Sequence, residues 1–401
     1  MEDRAGRLDV ADILETPPAG LLGSGAERDV GALSLICNRA KRPNTAEVRP
    51  VLPVRPSLVI VITGRLQPPG RGAMRLKAGV WGTALALWLL TVALAPGSAR
   101  NDARAQTREI LEFTSPSRNG PVTVKAELFL PEGINGKMPA MVIHHGSGGV
   151  SNTREYAYAR EFTKMGVASI VPDSFTPRGV KSTVEDQTTV SSNDMIADAF
   201  NALKLAAVHP RLDPDRIGIT GFSKGGTVAM RTGLQIMVNR HVPNGPRFAL
   251  HVPFYAGCDN MYLNMRTTGA PMLVLIGGAD TYVGPQRCID AVERMRAAGS
   301  KVDMVIYPNA QHGWDGVGRP WSYPNGENYS KCTYVEQADR RWVEQTTGLT
   351  TTGSDGKAVV ENARKALAAC KTLGVSGAPD EAVKAQSLEA LKGAMKAAFK
   401  L

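Results

Sequence analysis

The sequence lacks several patterns that would assign it to a familiar class of protein. No second histidine or carboxylate stands at metal-ligand spacing from His144 and His145, so a zinc site is unsupported. Strand-rich repeats of the kind that form a propeller are not visible either. Of the net charge of +10, about half lies in residues 1–105, which hold 14 Lys and Arg against 9 Asp and Glu. The remaining small excess is no signature of nucleic-acid binding.

Cysteine is scarce, with five in 401 residues. Cys37 lies in the N-terminal segment, which leaves the even set Cys258, Cys288, Cys332 and Cys370. An even set suits two disulfides in an oxidising compartment. Because Cys258 and Cys288 follow neighbouring predicted strands, we expect these two to pair, and Cys332 to pair with Cys370. Four buried free thiols are the alternative.

Residues 74–105 have the features of a signal peptide. A positive start at Met74 precedes an apolar stretch at 84–95, and Ala-Arg-Ala at 103–105 offers a cleavage site before Gln106, with Gly-Ser-Ala at 97–99 as an alternative. The sequence therefore predicts a periplasmic or secreted protein without stable membrane insertion after cleavage. An uncleaved anchor over the 18 residues 78–95 is the alternative.

Residues 1–73 are rich in proline, glycine and arginine and show no sustained periodicity. Such composition is typical of disorder, or of an upstream segment included by the choice of start site. A brief apolar run at 56–63 resembles a strand but has no evident partner. We expect the folded part of the chain to begin near residue 106.

A Gly-x-Ser-x-Gly pentapeptide stands between a predicted strand and a predicted helix. Gly221-Phe222-Ser223-Lys224-Gly225 follows the apolar run at 216–220 and precedes a helical pattern. This context predicts a nucleophile elbow, a sharp turn that projects the central side chain above the edge of a sheet. Glycines at both ends keep Cβ atoms out of the neighbouring strand and helix. Ser223 is therefore the candidate nucleophile, although such a pentapeptide alone also arises by chance.

Two further residues follow in the order that an α/β-hydrolase requires. Asp280 comes after the apolar run at 272–276, and His312 lies in the turn-rich loop after the run at 302–307. Taken alone, an aspartate after a strand is usually a helix cap or turn residue, and a histidine in a loop is usually solvated. Because all three stand at predicted strand ends, we predict that Ser223, His312 and Asp280 act as nucleophile, base and acid.

The early glycine-rich loop at 145–149 is the candidate for one side of an oxyanion hole. We expect the backbone N–H groups of Ser147 and Lys224 to donate to the oxyanion, with the Lys224 side chain pointing outward. His144 and His145 are expected to orient this loop rather than to bind metal.

At these residues the chain resembles the dienelactone hydrolase family, from about residue 122 to 320. The resemblance is carried by residues 144–149, 171–179, the elbow, 278–280 and 311–313. It implies hydrolysis of an ester or lactone, a small-molecule substrate, by a triad without a cofactor. Two departures concern the substrate: dienelactone hydrolases proper have cysteine where this chain has Ser223, and a glutamate that the early loop lacks. The resemblance thus implies acyl-ester hydrolysis rather than a dienelactone substrate.

The loop at 171–179 borders the substrate pocket in that family. The resemblance implies that Arg178 there clamps a substrate carboxylate, and a structural ion pair with Asp173 is the alternative.

Strand-like and helical patterns alternate along residues 106–350, which predicts an α/β-hydrolase fold with a doubly wound, mostly parallel sheet. A C-terminal helical extension at 351–401 follows, either packed on the core or docking a partner. The predicted strands are 122–130, 140–144, 167–171, 217–220, 248–254, 272–276 and 302–307. The predicted helices are 153–165, 194–208, 224–238, 285–298, 357–373 and 380–399.

These features together predict an exported serine hydrolase that acts on a carboxylic ester or lactone. A serine peptidase of the same fold and a non-catalytic exported binding protein are the alternatives. The sequence leaves the oligomeric state open.

Overall fold

The computed structural model describes residues 60–61 and 106–401. Within that part of the chain there are fifteen strands and seven α-helices. The strands are β1 (Ile60–Val61), β2 (Gln106–Ser115), β3 (Val122–Pro131), β4 (Met138–His144), β5 (Ala168–Pro172), β6 (Leu212–Phe222), β7 (Leu250–Phe254), β8 (Asn260–Met261), β9 (Met272–Gly277), β10 (Val302–Tyr307), β11 (Trp321–Asn328), β12 (Tyr334–Glu336), β13 (Trp342–Glu344), β14 (Thr350–Thr352) and β15 (Thr372–Gly377). The helices are α1 (Glu155–Lys164), α2 (Ser192–Val208), α3 (Lys224–Arg231), α4 (Gln235–His241), α5 (Pro285–Ala297), α6 (Val360–Cys370) and α7 (Glu381–Phe399).

A nine-stranded sheet with the order β1-β10-β9-β7-β6-β4-β5-β3-β2 forms the centre of the fold. In this order, all neighbouring strands between β1 and β5 pair parallel, whereas β3 pairs antiparallel with both of its neighbours, β5 and β2. Strands β4 and β5 are buried along their whole length, as expected for a sheet covered on both faces. The predicted α/β-hydrolase architecture is confirmed, and the carboxyl ends of the parallel strands meet along one edge.

All seven predicted strands are present, with ends shifted by a few residues. The first described strand of the main fold, β2, was not predicted; its side chains are mostly exposed, so it has little hydrophobic signal. The short run at 56–63 does have a partner, since Ile60 and Val61 pair with Val305 and Ile306 at the other edge of the sheet. Edge strands depend on a distant neighbour that local sequence does not reveal.

The predicted helix at 224–238 is two helices, α3 and α4. The break falls at Gly233 and Leu234, where a Cβ atom on Gly233 would lie 2.5 Å from the Met272 side chain. Leu234 forms an isolated antiparallel bridge with Thr267. The close approach of another segment therefore interrupts a continuous helical pattern.

The C-terminal extension contains both predicted helices, as α6 and α7, and between them the strand β15, which was not predicted. This strand pairs antiparallel with β11 and forms a second, two-stranded sheet. Helix α7 buries Leu391, Met395 and Phe399 against the central strands β6, β7 and β9. A Cβ atom on Gly218 of β6 would lie 3.0 Å from the Phe399 ring. The extension is thus packed on the core, the first of the two predicted alternatives. No helix in residues 106–401 is long and apolar enough to cross a lipid bilayer.

Two disulfides are present, Cys258 with Cys288 and Cys332 with Cys370, with Cα atoms 5.0 Å apart in each. They match the predicted pairing. The first joins the loop after β7 to α5, and the second joins the segment after β11 to α6. Each closes a loop of about 30 to 40 residues, with sequence separations of 30 and 38.

We expect removal of either bridge, by Cys258→Ser with Cys288→Ser or by Cys332→Ser with Cys370→Ser, to lower the free energy of unfolding by about 2 to 4 kcal/mol. The unfolded chain regains the freedom of a closed loop of this size. Urea unfolding of the oxidised wild type and of each variant measures the difference. Four titratable thiols in denatured, unreduced wild-type protein would contradict the pairing.

Candidate active site

The turn between β6 and α3 holds Ser223 in a strained backbone conformation. Its φ is 57° and its ψ is −115°, which a non-glycine residue rarely adopts. The flanking glycines make this turn possible: a Cβ atom on Gly221 would lie 2.3 Å from the Gly225 carbonyl oxygen, and one on Gly225 would lie 2.3 Å from that of His144. The predicted elbow geometry is confirmed, with the Ser223 side chain partly exposed at the carboxyl edge of the sheet.

His312 and Asp280 complete a hydrogen-bonded chain with Ser223. The His312 Nε2 atom lies 2.9 Å from the Ser223 Oγ atom, and its Nδ1 atom lies 2.7 Å from the Asp280 Oδ2 atom. Both His312 and Asp280 are buried, with 4% and 2% of their surface exposed. The three residues that the sequence predicted to work together are therefore in hydrogen-bonding contact.

Asp280 is also the turn residue that its position after β9 suggests. Its second oxygen, Oδ1, accepts hydrogen bonds from the backbone N–H groups of Tyr282 and Val283 at 2.9 and 3.1 Å. These bonds fix the carboxylate while the other oxygen faces His312. The rings of Tyr255 and Tyr282 contact the imidazole, with centroids 4.7 and 4.6 Å away. The histidine is thus held in one orientation by hydrogen bonds and by packing.

The loop after β4 lies against the elbow. A Cβ atom on Gly146 would lie 3.0 Å from the Phe222 carbonyl oxygen and 3.4 Å from the Ser223 Cβ atom. This approach brings the backbone of Ser147 beside Ser223. Lys224 is the first residue of α3, and N–H groups in the first turn of a helix have no acceptor within that helix. The loop that carries Ser147 and the start of α3 therefore flank Ser223, on the two sides where the sequence predicts an oxyanion hole.

His145 orients this loop, as predicted. Its Nδ1–H donates to the Gly146 carbonyl oxygen at 2.8 Å, and its Nε2 accepts the Ser174 N–H at 3.2 Å. His144 is fully buried, and neither of its ring nitrogens has a hydrogen-bond partner in the described chain. Burial lowers the pKa of both imidazoles, that of His144 to about 3, so both are neutral at physiological pH. No group of three or more potential metal ligands occurs among residues 106–401.

The prediction that the Lys224 side chain points outward is wrong. The side chain is buried, and its Nζ atom donates to the Thr183 Oγ1 atom and to the carbonyl oxygens of Gln187 and Val190 at 3.0, 2.9 and 2.7 Å. Burial lowers the pKa of Lys224 to about 7. The residue that follows Ser223 thus turns its ammonium group into the protein, where three oxygens of one segment surround it.

That segment, residues 182–190, carries functional contacts that the sequence did not reveal. The Gln187 Oε1 atom accepts the Ser147 hydroxyl at 3.0 Å, and its Nε2 donates to the Tyr282 hydroxyl at 2.9 Å. The Gln187 N–H donates to Glu327 at 2.8 Å. Residues 182–190 form neither helix nor strand, so periodicity offers no signal for them.

Arg178 is not a substrate clamp, and it does not pair with Asp173. Its Nη1 and Nη2 atoms donate to the two carboxylate oxygens of Asp198 on α2 at 2.8 and 2.9 Å, and further to the Ser174 and Pro116 carbonyl oxygens. Both side chains of this ion pair are buried, at 3% and 0% exposure. Asp173 instead accepts the N–H groups of the turn that follows it. A buried ion pair between a loop and a helix 20 residues later is set by packing, which sequence spacing does not report.

The fold and the serine elbow define the chain as an α/β-hydrolase. The sequence profile of the dienelactone hydrolase family matches residues 124–352, more than half of the chain, and the protein belongs to that family.

Individual relatives are distant. A protein of Methylorubrum extorquens named carboxymethylenebutenolidase is 28% identical over 179 residues, covering 40% of this chain and 58% of its own length. A Bradyrhizobium protein named 2-oxo-3-(5-oxofuran-2-ylidene)propanoate lactonase is 23% identical over 45% of this chain and 74% of its own. Among solved structures, native esterase 2 of Thermogutta terrifontis has 18% identity and a TM-score of 0.43, over 55% of this chain and 86% of its own. The match to the Methylorubrum relative thus spans less than two thirds of that protein.

Proposed function

We propose that this protein hydrolyses a carboxylic ester or lactone through an acyl-enzyme on Ser223. The observation that carries the proposal is the continuous hydrogen-bonded chain from Ser223 through His312 to Asp280. Membership of the dienelactone hydrolase family supports the same reaction class.

The geometry suits nucleophilic catalysis at each step. His312 accepts the Ser223 proton as Oγ attacks the ester carbonyl, and Asp280 holds the imidazole in the required tautomer and stabilises its cationic form. The backbone N–H groups of Ser147 and Lys224 donate to the developing oxyanion. His312 then protonates the leaving alkoxide, and water attacks the acyl-enzyme by the same sequence of proton transfers.

A pocket beside Ser223 supports a small substrate. Its volume is about 120 Å³, below the roughly 300 to 1,000 Å³ of pockets that hold drug-sized ligands. The wall consists mostly of hydroxyl, amide and charged side chains, among them Gln187, Arg231, Asp259, Tyr282, Arg287 and Tyr334. The small volume favours a short ester or a small lactone over an ester with a long acyl chain.

Two alternatives have less support. A serine peptidase of this fold is expected to have a second domain, such as a propeller, that limits access to its site. Residues 106–401 contain no propeller. A binding protein without activity would have no need of a strained serine in contact with a buried His-Asp pair.

Ser223→Ala should abolish ester hydrolysis while the fold persists. An oxyanion hole and binding without a nucleophile leave only about 10³ to 10⁴-fold acceleration over water. Hydrolysis of 4-nitrophenyl acetate and covalent labelling by a fluorophosphonate measure the loss, with the exposed Ser322→Ala on β11 as control. A wild-type protein that takes up no fluorophosphonate would favour the binding protein, and a fully active Ser223→Ala would remove Ser223 as nucleophile.

Asp280→Asn should lower kcat by about 10⁴ with little change in KM. An amide at this position favours the wrong imidazole tautomer and does not stabilise the imidazolium. The matched control is Asp303→Asn, which changes an exposed aspartate on β10. Retention of most of kcat would mean that Asp280 serves only the turn after β9.

Export is the last part of the proposal, with cleavage after Ala105 releasing a mature chain that begins at Gln106 and has β10 rather than β1 at that edge of the sheet. The signal-peptide pattern lies outside the described residues, so the support comes from the two disulfides, which persist in oxidising compartments. Expression from Met74 in a bacterial host, fractionation and N-terminal sequencing provide the test. We expect a periplasmic or secreted product starting at Gln106; an intact chain in the membrane fraction would indicate the anchor instead.

A further inference from the structure

The Lys224 ammonium group has an unusual environment for a buried cation. Its three hydrogen-bond acceptors are neutral oxygens, and all three belong to the segment of residues 182–190. The carboxylates of Asp186, Asp194 and Glu327 act on it only at longer range. A buried ammonium that made no such bonds would carry a large desolvation cost. Lys224 and the segment are therefore held together strongly and in one geometry.

The same segment holds Ser147. The Thr183 N–H donates to the Ser147 carbonyl oxygen at 2.8 Å, and the Ser182 hydroxyl donates to it at 3.1 Å. The Ser147 hydroxyl in turn donates to Gln187 at 3.0 Å. Ser147 is thus tied on both its carbonyl and its side chain to the residues that surround the Lys224 ammonium.

We infer that Lys224 determines the position of both donors of the oxyanion hole. Its backbone N–H is one donor, and its side chain, through residues 182–190, positions the Ser147 N–H, which is the other. The inference rests on the proposed function for its consequence in catalysis. Lys224 acts on the second donor as a positioning residue, because its ammonium contacts Thr183, Gln187 and Val190 rather than Ser147.

An aromatic contact supports the same role. The Lys224 Nζ atom lies 6.0 Å from the centre of the Phe175 ring, and that ring packs edge-on against His145 at 4.4 Å. The cation thus reaches the 145–149 loop by a second route. A donor misplaced by a fraction of an ångström loses much of its effect on a transition state, since the stabilisation depends on preorganised distance.

The test variant is Lys224→Met, which keeps an unbranched side chain and removes the three donated hydrogen bonds. The matched control is Lys181→Met, which removes an exposed lysine just before residues 182–190. For 4-nitrophenyl acetate we expect Lys224→Met to lower kcat by about 10²-fold, as for loss of an oxyanion donor, with KM changed by less than about threefold. A boronic acid that forms a tetrahedral adduct on Ser223 should bind about 10²-fold more weakly. Lys181→Met should match the wild type in both.

Hydrogen exchange tests the positioning independently of activity. Peptides covering 145–149 and 182–190 should exchange faster in Lys224→Met than in the wild type or in Lys181→Met. Unchanged exchange there, or a folded Lys224→Met with wild-type kcat or wild-type boronate affinity, would overturn the inference. Absence of hydrolysis in the wild type with faster exchange in Lys224→Met would instead count against the proposed function alone.

Thr183→Val serves if Lys224→Met does not fold, because it removes one of the three acceptors and keeps the Thr183 N–H. It should lower kcat and boronate affinity by a similar factor, up to about tenfold, and a change in KM alone would overturn the inference. Where both single variants fold, their double variant should lose less than the product of the two effects, since they act through one network.

Discussion

The backbone contact between the elbow and the strand beside it is the constraint on which the rest of the site depends. Gly225 lies so close to the His144 carbonyl oxygen that no side chain fits between them. This contact locks the start of α3 against the end of β4, and with it the loop that carries Ser147. It also holds Ser223 at its positive φ. A strained residue persists only where the surrounding structure over-determines it, and here two glycines and two strands do so.

The C-terminal extension supports the other half of the site. The Ala378 N–H donates to the His312 carbonyl oxygen at 3.2 Å, and the Trp314 indole donates to Ser387 on α7 at 3.1 Å. Lys371, next to the bridged Cys370, pairs with Glu327, which in turn accepts the Gln187 N–H. The extension therefore reaches both the histidine loop and the pocket wall, and belongs to the architecture of the site.

Two buried cations, Arg178 and Lys224, have very different hydrogen-bond partners. Arg178 has a bidentate carboxylate partner in Asp198, and this ion pair, which carries no net charge, ties a loop to α2. The Lys224 ammonium donates instead to three neutral oxygens of residues 182–190, and burial lowers the pKa of Lys224 to about 7. Arg178 lies in a loop and Lys224 at the start of a helix, and their sequence contexts do not reveal these partners.

The sequence by itself determined the features that local chemistry dictates. The elbow needs glycines two residues either side of a serine, buried parallel strands need continuous apolar runs, and the order of Ser223, Asp280 and His312 follows from where those strands end. These patterns therefore predicted the sheet, the elbow and the residues that meet there. The even set of cysteines after residue 105 likewise predicted the two bridges.

Only the tertiary structure decided which polar groups face one another. The partner of Arg178, the inward course of Lys224 and the role of Gln187 depend on segments distant in sequence that approach within hydrogen-bonding distance. The break between α3 and α4 and the unpredicted strand β15 between α6 and α7 have the same origin, since each depends on pairing with a distant segment, Thr267 and β11 respectively. Short-range patterns record which side chains are apolar and where the backbone turns, whereas the pairing of buried charges and edge strands is fixed by distances that exist only once the chain has folded.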